Sequence, residues 1–178
     1  MHRLFVAIPI PAEISSELCS MRTNARGIRW MSADQMHITL HFLGEVDSTT
    51  YQAVKDVLLG VMFAPFSLEI ASVGYFGSKK SPRHLWAGVT LQPQLVELYQ
   101  AIGQVLTSLQ VELEKRKFKP HITLARLKGV NYSDVGLFLQ QYSLYKSPLL
   151  EVTEFHLYSS KLSSDGPTYQ VEATYPVK

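Results

Sequence analysis

Apolar residues recur along the chain with two different spacings, one typical of strands and one typical of helices. Segment 3–9 is almost continuously apolar and predicts a buried strand. Ile14, Leu18 and Met21 then recur at helical spacing, after Pro11, a residue suited to the first turn of a helix. A strand followed by a helix is therefore predicted at the N-terminus.

The remaining pattern continues this interleaving of strands and helices. Further helices are predicted from Asp47 or Ser48 onward, over 91–109 and after Ser133. Further strands are predicted over 66–75, 84–89, 149–158 and 168–175, with turns at 77–82 and 165–167. Because many connections are short, the pattern favours an α+β fold with antiparallel sheets, and no linker-like stretch marks a domain boundary.

Composition excludes several classes of protein. Of 178 residues, 46% are apolar and 18% are charged, which is typical of a globular chain and not of a disordered or fibrous one. No apolar run approaches the roughly 20 residues of a membrane-spanning helix, and the N-terminal run resembles a strand more than a signal peptide. The single cysteine, Cys19, excludes an internal disulfide framework and a Cys-rich zinc site, so we expect a cytoplasmic protein.

Basic residues cluster in one part of the chain, although the net charge is only +2. Between residues 115 and 128 there are six cations and no acid: Lys115, Arg116, Lys117, Lys119, Arg126 and Lys128. Such a run is commonly a solvated face, and the alternative is an edge that faces phosphate. The residues inside the run favour the second interpretation.

The most informative feature is a duplicated segment. Residues 37–46 read HITLHFLGEV and residues 121–130 read HITLARLKGV, with six of ten positions identical. The copies are 84 positions apart, which is nearly half the chain and too long for a solenoid repeat. The duplication predicts two halves of similar build, each contributing one copy.

Strand geometry predicts where these side chains lie. With a period of two, His37 and Thr39 face one way, while Ile38, Leu40 and Phe42 face the other, where the Ile and Leu side chains enter a core. The same alternation separates the pair His121 and Thr123 from the pair Ile122 and Leu124. Two histidines and two threonines are thus expected in one cleft where the halves meet.

This set of side chains suits displacement at phosphorus. One histidine accepts a proton, the other donates one, and the threonine hydroxyls hold phosphate oxygens. A single His-x-Thr on a strand is commonly structural, but two copies with shared flanks favour function. A metal site is the other alternative, because alternation puts His41 on the face of His37. Against it, no cluster of carboxylates or cysteines accompanies either copy, and Ala125 stands in the second copy where the first has His41. Neither a Gly-x-Ser-x-Gly motif nor a phosphate-binding glycine loop is present.

At these residues the sequence resembles the two-histidine (2H) phosphoesterase superfamily, and within it the RNA 2′,3′-cyclic phosphodiesterases, also described as 2′-5′ RNA ligases (LigT-like). The resemblance rests on RLFVAIP at 3–9, GIRW at 27–30, HITL at 37–40, FKPHITLAR at 118–126 and FHLYSSKL at 155–162. It implies an α+β, bilobed fold over residues 1–178 as a single domain, with two antiparallel sheets and outer helices related by a pseudo-twofold axis. The active cleft would lie between the lobes.

The resemblance also implies the roles of individual residues. His37 corresponds to the proton donor, His121 to the proton acceptor, and Thr39 and Thr123 to hydroxyls that hold the phosphate. Arg126 corresponds to a phosphate-binding arginine, although strict alternation puts it opposite His121 and a bend near Ala125 is then required. His41 stands where members of the family usually carry Lys or Arg.

The implied activity is hydrolysis of a terminal 2′,3′-cyclic phosphate to a 2′-phosphate, without metal or other cofactor. The reverse, ATP-independent 2′-5′ ligation, would use the same groups. The partners expected are RNA or oligonucleotide ends, with no membrane, no obligate protein partner and a monomeric chain. The alternative is a module that binds a nucleotide or RNA in the same cleft without turnover. Phe5, Tyr75, Phe76 and Trp86 are candidates for stacking on a base, with the core as the commoner place for each.

Overall fold

The computed structural model describes residues 1–163 and 166–178 and has α+β architecture. The helices are α1 (Ala12–Ser20), α2 (Ser48–Leu58), α3 (Pro93–Thr107) and α4 (Tyr132–Tyr142), with a short 3-10 helix at Ala33–Gln35. The strands are β1 (His2–Pro9), β2 (Ile28–Trp30), β3 (His37–Val46), β4 (Phe66–Leu68), β5 (Ile70–Ser78), β6 (Ser81–Val89), β7 (His121–Leu127), β8 (Leu150–Val152), β9 (Glu154–Ser163) and β10 (Gly166–Pro176).

The main sheet consists of two halves that meet at the duplicated segments. Its strand order is β10-β9-β1-β3-β7-β6-β5, with β2 beside β7, and every pairing is antiparallel. Strands β3 and β7, which carry the two His-x-Thr copies, are paired through Ile38 and Ile122. A separate small sheet pairs β4 with β8. The predicted antiparallel α+β fold is confirmed.

Both duplicated strands carry a β-bulge at the same position of the repeat. Opposite β1, Val6 pairs with His41 and Ala7 with Thr39, which leaves Leu40 as an extra residue. Opposite β6, Leu85 pairs with Ala125 and Trp86 with Thr123, which leaves Leu124 as an extra residue. Because a bulge inserts one residue, it exchanges the faces of the side chains that follow it, in β3 as far as a second bulge at Leu43.

Burial along these strands shows the exchange of faces. Leu40 and His41 are both buried in β3, and Leu124 and Ala125 are both buried in β7, where strict alternation would expose one of each pair. The prediction that Phe42 shares the face of Ile38 and Leu40 is therefore wrong, since Phe42 is 54% exposed and the other two are buried. The bend that Arg126 requires is present, at Leu124.

Two predicted strands are each divided between the two sheets. The strand predicted over 66–75 ends at Leu68 as β4 and resumes at Ile70 as β5, and the one predicted over 149–158 is divided in the same way at Thr153. The predicted turn at 77–82 shortens to residues 79 and 80, because β5 and β6 continue to Ser78 and from Ser81. Of the predicted turn at 165–167, residue 165 lies outside the described residues and Gly166 and Pro167 belong to β10.

The helices begin and end close to their predicted positions. The Asp47 carboxylate caps α2 by accepting a hydrogen bond of 2.7 Å from the Thr50 N–H. Helix α3 has Pro93 in its first turn and buries Leu95, Leu98, Ile102 and Leu106, while Val105 and Leu109 are only partly buried. Helix α3 packs on α2 and β3, and α4 packs on β5 and β6. No helix in the described residues is long and apolar enough to cross a membrane.

Candidate active site

The five residues predicted for the site, which are His37, Thr39, His121, Thr123 and Arg126, all line one cleft of ≈ 1060 Å³. The cleft lies where β3 and β7 meet, so each half of the sheet contributes one His-x-Thr pair. Without the bulge at Leu124, Arg126 would lie on the far side of β7 from His121.

His37 lies in an aromatic environment at the start of β3. Its ring centre is 4.7 Å from that of Phe5 and 5.2 Å from that of Tyr169, which it meets edge-on. Its Nδ1 is 2.8 Å from the carbonyl oxygen of Gln35. Burial lowers the pKa of His37 to about 4; the Gln35 carbonyl opposes this shift, and the charge of His121 adds to it.

His121 occupies the matching position at the start of β7. Its Nδ1 is 2.7 Å from the carbonyl oxygen of Lys119, and its ring meets that of Phe76 edge-on at 4.8 Å. Burial is the main cause that lowers the pKa of His121; the Lys119 carbonyl opposes it and the Lys119 ammonium adds to it.

The two histidines share one hydrogen-bonding pattern. Each directs Nδ1 at the carbonyl of the residue two positions earlier, so Nδ1 carries the proton and donates it to that oxygen. The neutral ring then has an unprotonated Nε2, the atom that is free to accept or return a proton. Each ring is held in one orientation by its own strand, which suits acid–base chemistry in the cleft between them.

Four cations from the basic run surround these groups. Arg116, Lys117, Lys119 and Arg126 all line the cleft, so this part of the run forms a cationic edge of the site. Arg116 also contacts the Glu114 carboxylate. The Lys119 ammonium is 4.4 Å from the centre of the Trp86 ring, a cation–π distance.

Of the candidate stacking residues, only Phe76 and Phe5 line the cleft. Phe5 is 2% exposed and packs beneath His37. Trp86 lies behind Phe76, with ring centres 5.5 Å apart, and covers Gly74, where its indole leaves no room for a Cβ. Tyr75 packs on Tyr132 of α4.

Sequence reasoning missed several residues of the site. Phe42 lines the cleft at 5.9 Å from Phe5 because the bulge turns it there. Tyr169 reaches the cleft from β10; burial raises the pKa of its phenol, which the nearby Arg126 guanidinium opposes. His84 pairs with Arg126 across β6 and β7, and burial, followed by the charge of Arg126, lowers the pKa of its ring. For Phe42 a signal existed, because it occupies the same position of the repeat as Arg126.

His41 contributes to the lining of the same cleft, but its ring is buried against α3 and not directed toward His37, so the predicted His-x-Thr-x-His pair of rings on one face is wrong. The ring is 6% exposed and stacks on Tyr99 of α3 at 4.2 Å, and its Nε2 is 2.8 Å from the Tyr99 carbonyl oxygen. Tyr99 in turn stacks on Phe118 at 4.0 Å, three residues before His121. Within 1–163 and 166–178, no group of three or more His, Cys, Asp or Glu side chains is placed to hold a metal ion.

Two half-sheets that each present a His-x-Thr pair to a shared cleft define the class of two-histidine phosphoesterases. The chain belongs to the LigT-like phosphoesterase family, whose model matches residues 8–86 and again residues 89–169. Each match contains one of the two His-x-Thr copies, which agrees with the predicted duplication.

Individual relatives match nearly the whole chain. An RNA 2′,3′-cyclic phosphodiesterase of Thermotoga maritima is 34% identical over 95% of this chain and 92% of its own length. A protein of the same name from Archaeoglobus fulgidus is 32% identical over 94% of this chain and 96% of its own. The structure of E. coli LigT complexed with 3′-AMP superposes with a TM-score of 0.80 at 26% identity, covering 99% of this chain and 98% of that one.

Proposed function

We propose that this protein is an RNA 2′,3′-cyclic phosphodiesterase that opens a terminal 2′,3′-cyclic phosphate to a 2′-phosphate without a metal ion. The observation that carries the proposal is the pair of matched histidines, each with Nδ1 fixed to a backbone carbonyl and each beside a threonine in the same cleft. The relatives from Thermotoga and Archaeoglobus, which bear the name of this activity, support the same substrate class.

His121 is the general base. Burial, and to a smaller extent the charge of the Lys119 ammonium, lowers the pKa of His121, so the ring stays neutral at neutral pH and its Nε2 accepts a proton. A water molecule that donates its proton to this atom becomes the nucleophile. The oxygen of that water forms a bond to phosphorus as the bond to the departing ribose oxygen breaks.

His37 is the general acid, and it must gain a proton before it can donate one. In the free protein its pKa of about 4 keeps the ring neutral at pH 7. A bound phosphate places a negative charge in the cleft, which favours the protonated ring and raises this pKa. Burial lowers the pKa of His121 as well, so we assign the donated proton to His37 from the position of its motif, which corresponds to the proton donor of the family.

The remaining residues hold the phosphate between the two rings. The hydroxyls of Thr39 and Thr123 donate to the oxygens that do not react, and the Arg126 guanidinium pairs with the same group. With water activated on the side of His121, the departing 3′ oxygen faces His37 and takes its proton. The product is then a 2′-phosphate with a free 3′ hydroxyl. Exchanged roles of the two histidines would catalyse 2′-5′ ligation of a 5′-hydroxyl end.

The experiment is turnover of a nucleoside 2′,3′-cyclic phosphate, with the 2′- and 3′-phosphate products separated. We expect the product to be almost entirely the 2′-phosphate. His37→Ala and His121→Ala are each expected to lower kcat by about 10²–10⁴-fold. Thr39→Val and Thr123→Val are expected to cost less, since each removes one donor. His2→Ala, on β1 outside the cleft, is the matched control. A module that only binds would give no turnover, and equal amounts of both isomers would contradict the assigned acid.

For its partners and place of action, we propose that the chain acts as a monomer on RNA ends in the cytoplasm. The cationic edge formed by Arg116, Lys117, Lys119 and Arg126 suits the phosphates of RNA. A lone cysteine is consistent with a reducing compartment. Sedimentation of the purified protein, with and without an oligonucleotide, tests the monomer.

A further inference from the structure

A second, smaller cavity of ≈ 270 Å³ adjoins the catalytic cleft. Its lining consists of Arg22, Arg29, Trp30, Met31, Ser32, Gln35, Arg126 and Pro167. Four of these residues, Met31, Gln35, Arg126 and Pro167, also line the cleft. The two spaces therefore share a wall, and Arg126 belongs to both.

The cavity is strongly cationic. Three of its lining residues are arginines, and among the residues that the structure describes none of the lining is acidic. Arg29 and Arg126 are direct cross-strand neighbours on β2 and β7. Like charges at such positions repel each other, so this arrangement is disfavoured unless an anion lies between them.

The frame of the cavity is fixed by hydrogen bonds. Arg22 Nη2 donates to the Met31 carbonyl at 2.8 Å, and Gln35 Nε2 donates to the Pro167 carbonyl at 2.7 Å. Gln35 Oε1 accepts from the Ser32 N–H at 3.0 Å. The guanidinium of Arg29 lies against Gly166, where a Cβ would be 2.7 Å from its Nη2. The three guanidinium groups at this cavity are well suited to a phosphate group, which accepts paired hydrogen bonds from arginine.

The position of Gln35 indicates which phosphate of an RNA strand fits this cavity. Its carbonyl holds His37 and its side chain forms a wall of the cavity, so the cavity lies on the side of His37. In the proposed reaction, His37 protonates the departing 3′ oxygen, which stays with the nucleoside. The next phosphate of the strand is attached to the 5′ carbon of that same ribose. We propose that this cavity binds the phosphate 5′ to the terminal nucleotide, and that the protein thereby selects RNA strands over cyclic mononucleotides; the inference rests on the proposed function.

The test compares three substrates: cytidine 2′,3′-cyclic phosphate, its 5′-phosphorylated form, and a dinucleotide that ends in the same cyclic nucleotide. We expect kcat/KM to be about 10-fold higher for the dinucleotide than for the mononucleotide, as expected for hydrogen bonds to a charged group. A plot of log kcat/KM against log salt is expected to be steeper for the dinucleotide, by about 0.7 for each additional phosphate charge that the protein neutralises. The 5′-phosphorylated mononucleotide carries a phosphate monoester at the 5′ position, so comparing it with the dinucleotide shows whether the cavity binds a monoester or the phosphodiester of RNA.

Arg29→Gln is expected to reduce the 10-fold preference to less than about twofold and to remove the added salt dependence. Arg29→Lys keeps the charge without the paired donors and is expected to be intermediate. The matched control is Arg26→Gln, which makes the same change of charge outside both cavities. Equal kcat/KM for the mononucleotide and the dinucleotide would overturn the proposal. A preference for the dinucleotide that is unchanged in Arg29→Gln would also overturn it, as would an increase in kcat/KM confined to the 5′-phosphate monoester.

A protein with no turnover of any of the three substrates would contradict the proposed function and not the cavity. Calorimetric titration with cytidine 2′-phosphate and cytidine 2′,5′-bisphosphate then tests the cavity alone. We expect the bisphosphate to bind about 10-fold more tightly, and Arg29→Gln to remove the difference. Equal affinities of the unsubstituted protein for the two nucleotides would overturn the cavity assignment.

Discussion

The low pKa of His37 has a measurable consequence for stability. In the unfolded chain a histidine takes up a proton near pH 6.5, whereas His37 in the folded protein remains neutral until about pH 4. Its contribution to stability is therefore complete above pH 6.5, is lost as the pH falls from 6.5 toward 4, and changes no further below that. Replacing His37 by glutamine removes this contribution to the pH dependence.

The size of the effect follows from the two pKa values. Each pH unit within this interval corresponds to 1.36 kcal/mol, so His37 alone is expected to lower the free energy of unfolding by about 2.5 kcal/mol between about pH 7.5 and about pH 4.5. His41, His84 and His121 also have lowered pKa values and act in the same direction. The parent protein and His37→Gln both retain these three histidines, so their contribution cancels when the two proteins are compared.

The assay is urea unfolding at the two pH values, for the parent protein, His37→Gln and the control His2→Gln. We expect the parent and the control to lose about 2.5 kcal/mol more than His37→Gln on acidification. The comparison uses only the difference between the two pH values, so packing lost against Phe5 and Tyr169 does not enter. The same loss in the parent and in His37→Gln would refute the assignment of a partly buried His37 that stays neutral down to about pH 4.

Ligand binding tests the second half of the reasoning. In the free protein, the imidazole resonances of His37 are expected to titrate near pH 4. With saturating nucleoside 2′-monophosphate the midpoint is expected to rise, because the phosphate charge favours the protonated ring. An unchanged midpoint in the complex would contradict the proposal that substrate prepares His37 to act as the acid.

Four further predictions concern the residues around the two histidines and the absence of a metal requirement. His41→Ala is expected to lower the free energy of unfolding by about 3 kcal/mol, because packing and a hydrogen bond are lost. Phe42→Ala, at the next position, is expected to lower it by less than about 1 kcal/mol, because this side chain is exposed. Urea unfolding measures both losses, and equal values would contradict the bulge. Phe42→Ala is instead expected to raise KM for a cyclic nucleotide about 10-fold by removing a stacking surface, and an unchanged KM would argue that the base lies elsewhere. Arg126→Gln is expected to lower kcat about 10²-fold, and Arg126→Lys is expected to recover only part of this loss. Turnover by the unsubstituted protein is expected to be insensitive to a chelator. Activity that is lost on chelation and restored by a divalent ion would refute the metal-free mechanism.

The sequence alone predicted most of the helices and strands and the four motif residues that line the cleft. Helical spacing located α3, the cap residue Asp47 located α2, and the duplicated HITL segments identified the four residues His37, Thr39, His121 and Thr123. These signals are local, since a helix face, a cap and an exact repeat all lie within a few neighbouring positions of the chain. The duplication also predicted correctly that the two halves meet at the repeated strands.

Only the tertiary structure decided which side chains follow the motifs into the cleft. A bulge depends on how a strand pairs with its neighbour, so alternation within β3 or β7 gave no sign that Leu40 and Leu124 are extra residues. That pairing turns Phe42 and Arg126 toward the site. The environment of the histidines likewise comes from distant segments, because Tyr169 lies 132 positions after His37 and reaches it from β10. Contacts over such separations arise from the packing of strands, which the order of residues along the chain does not reveal.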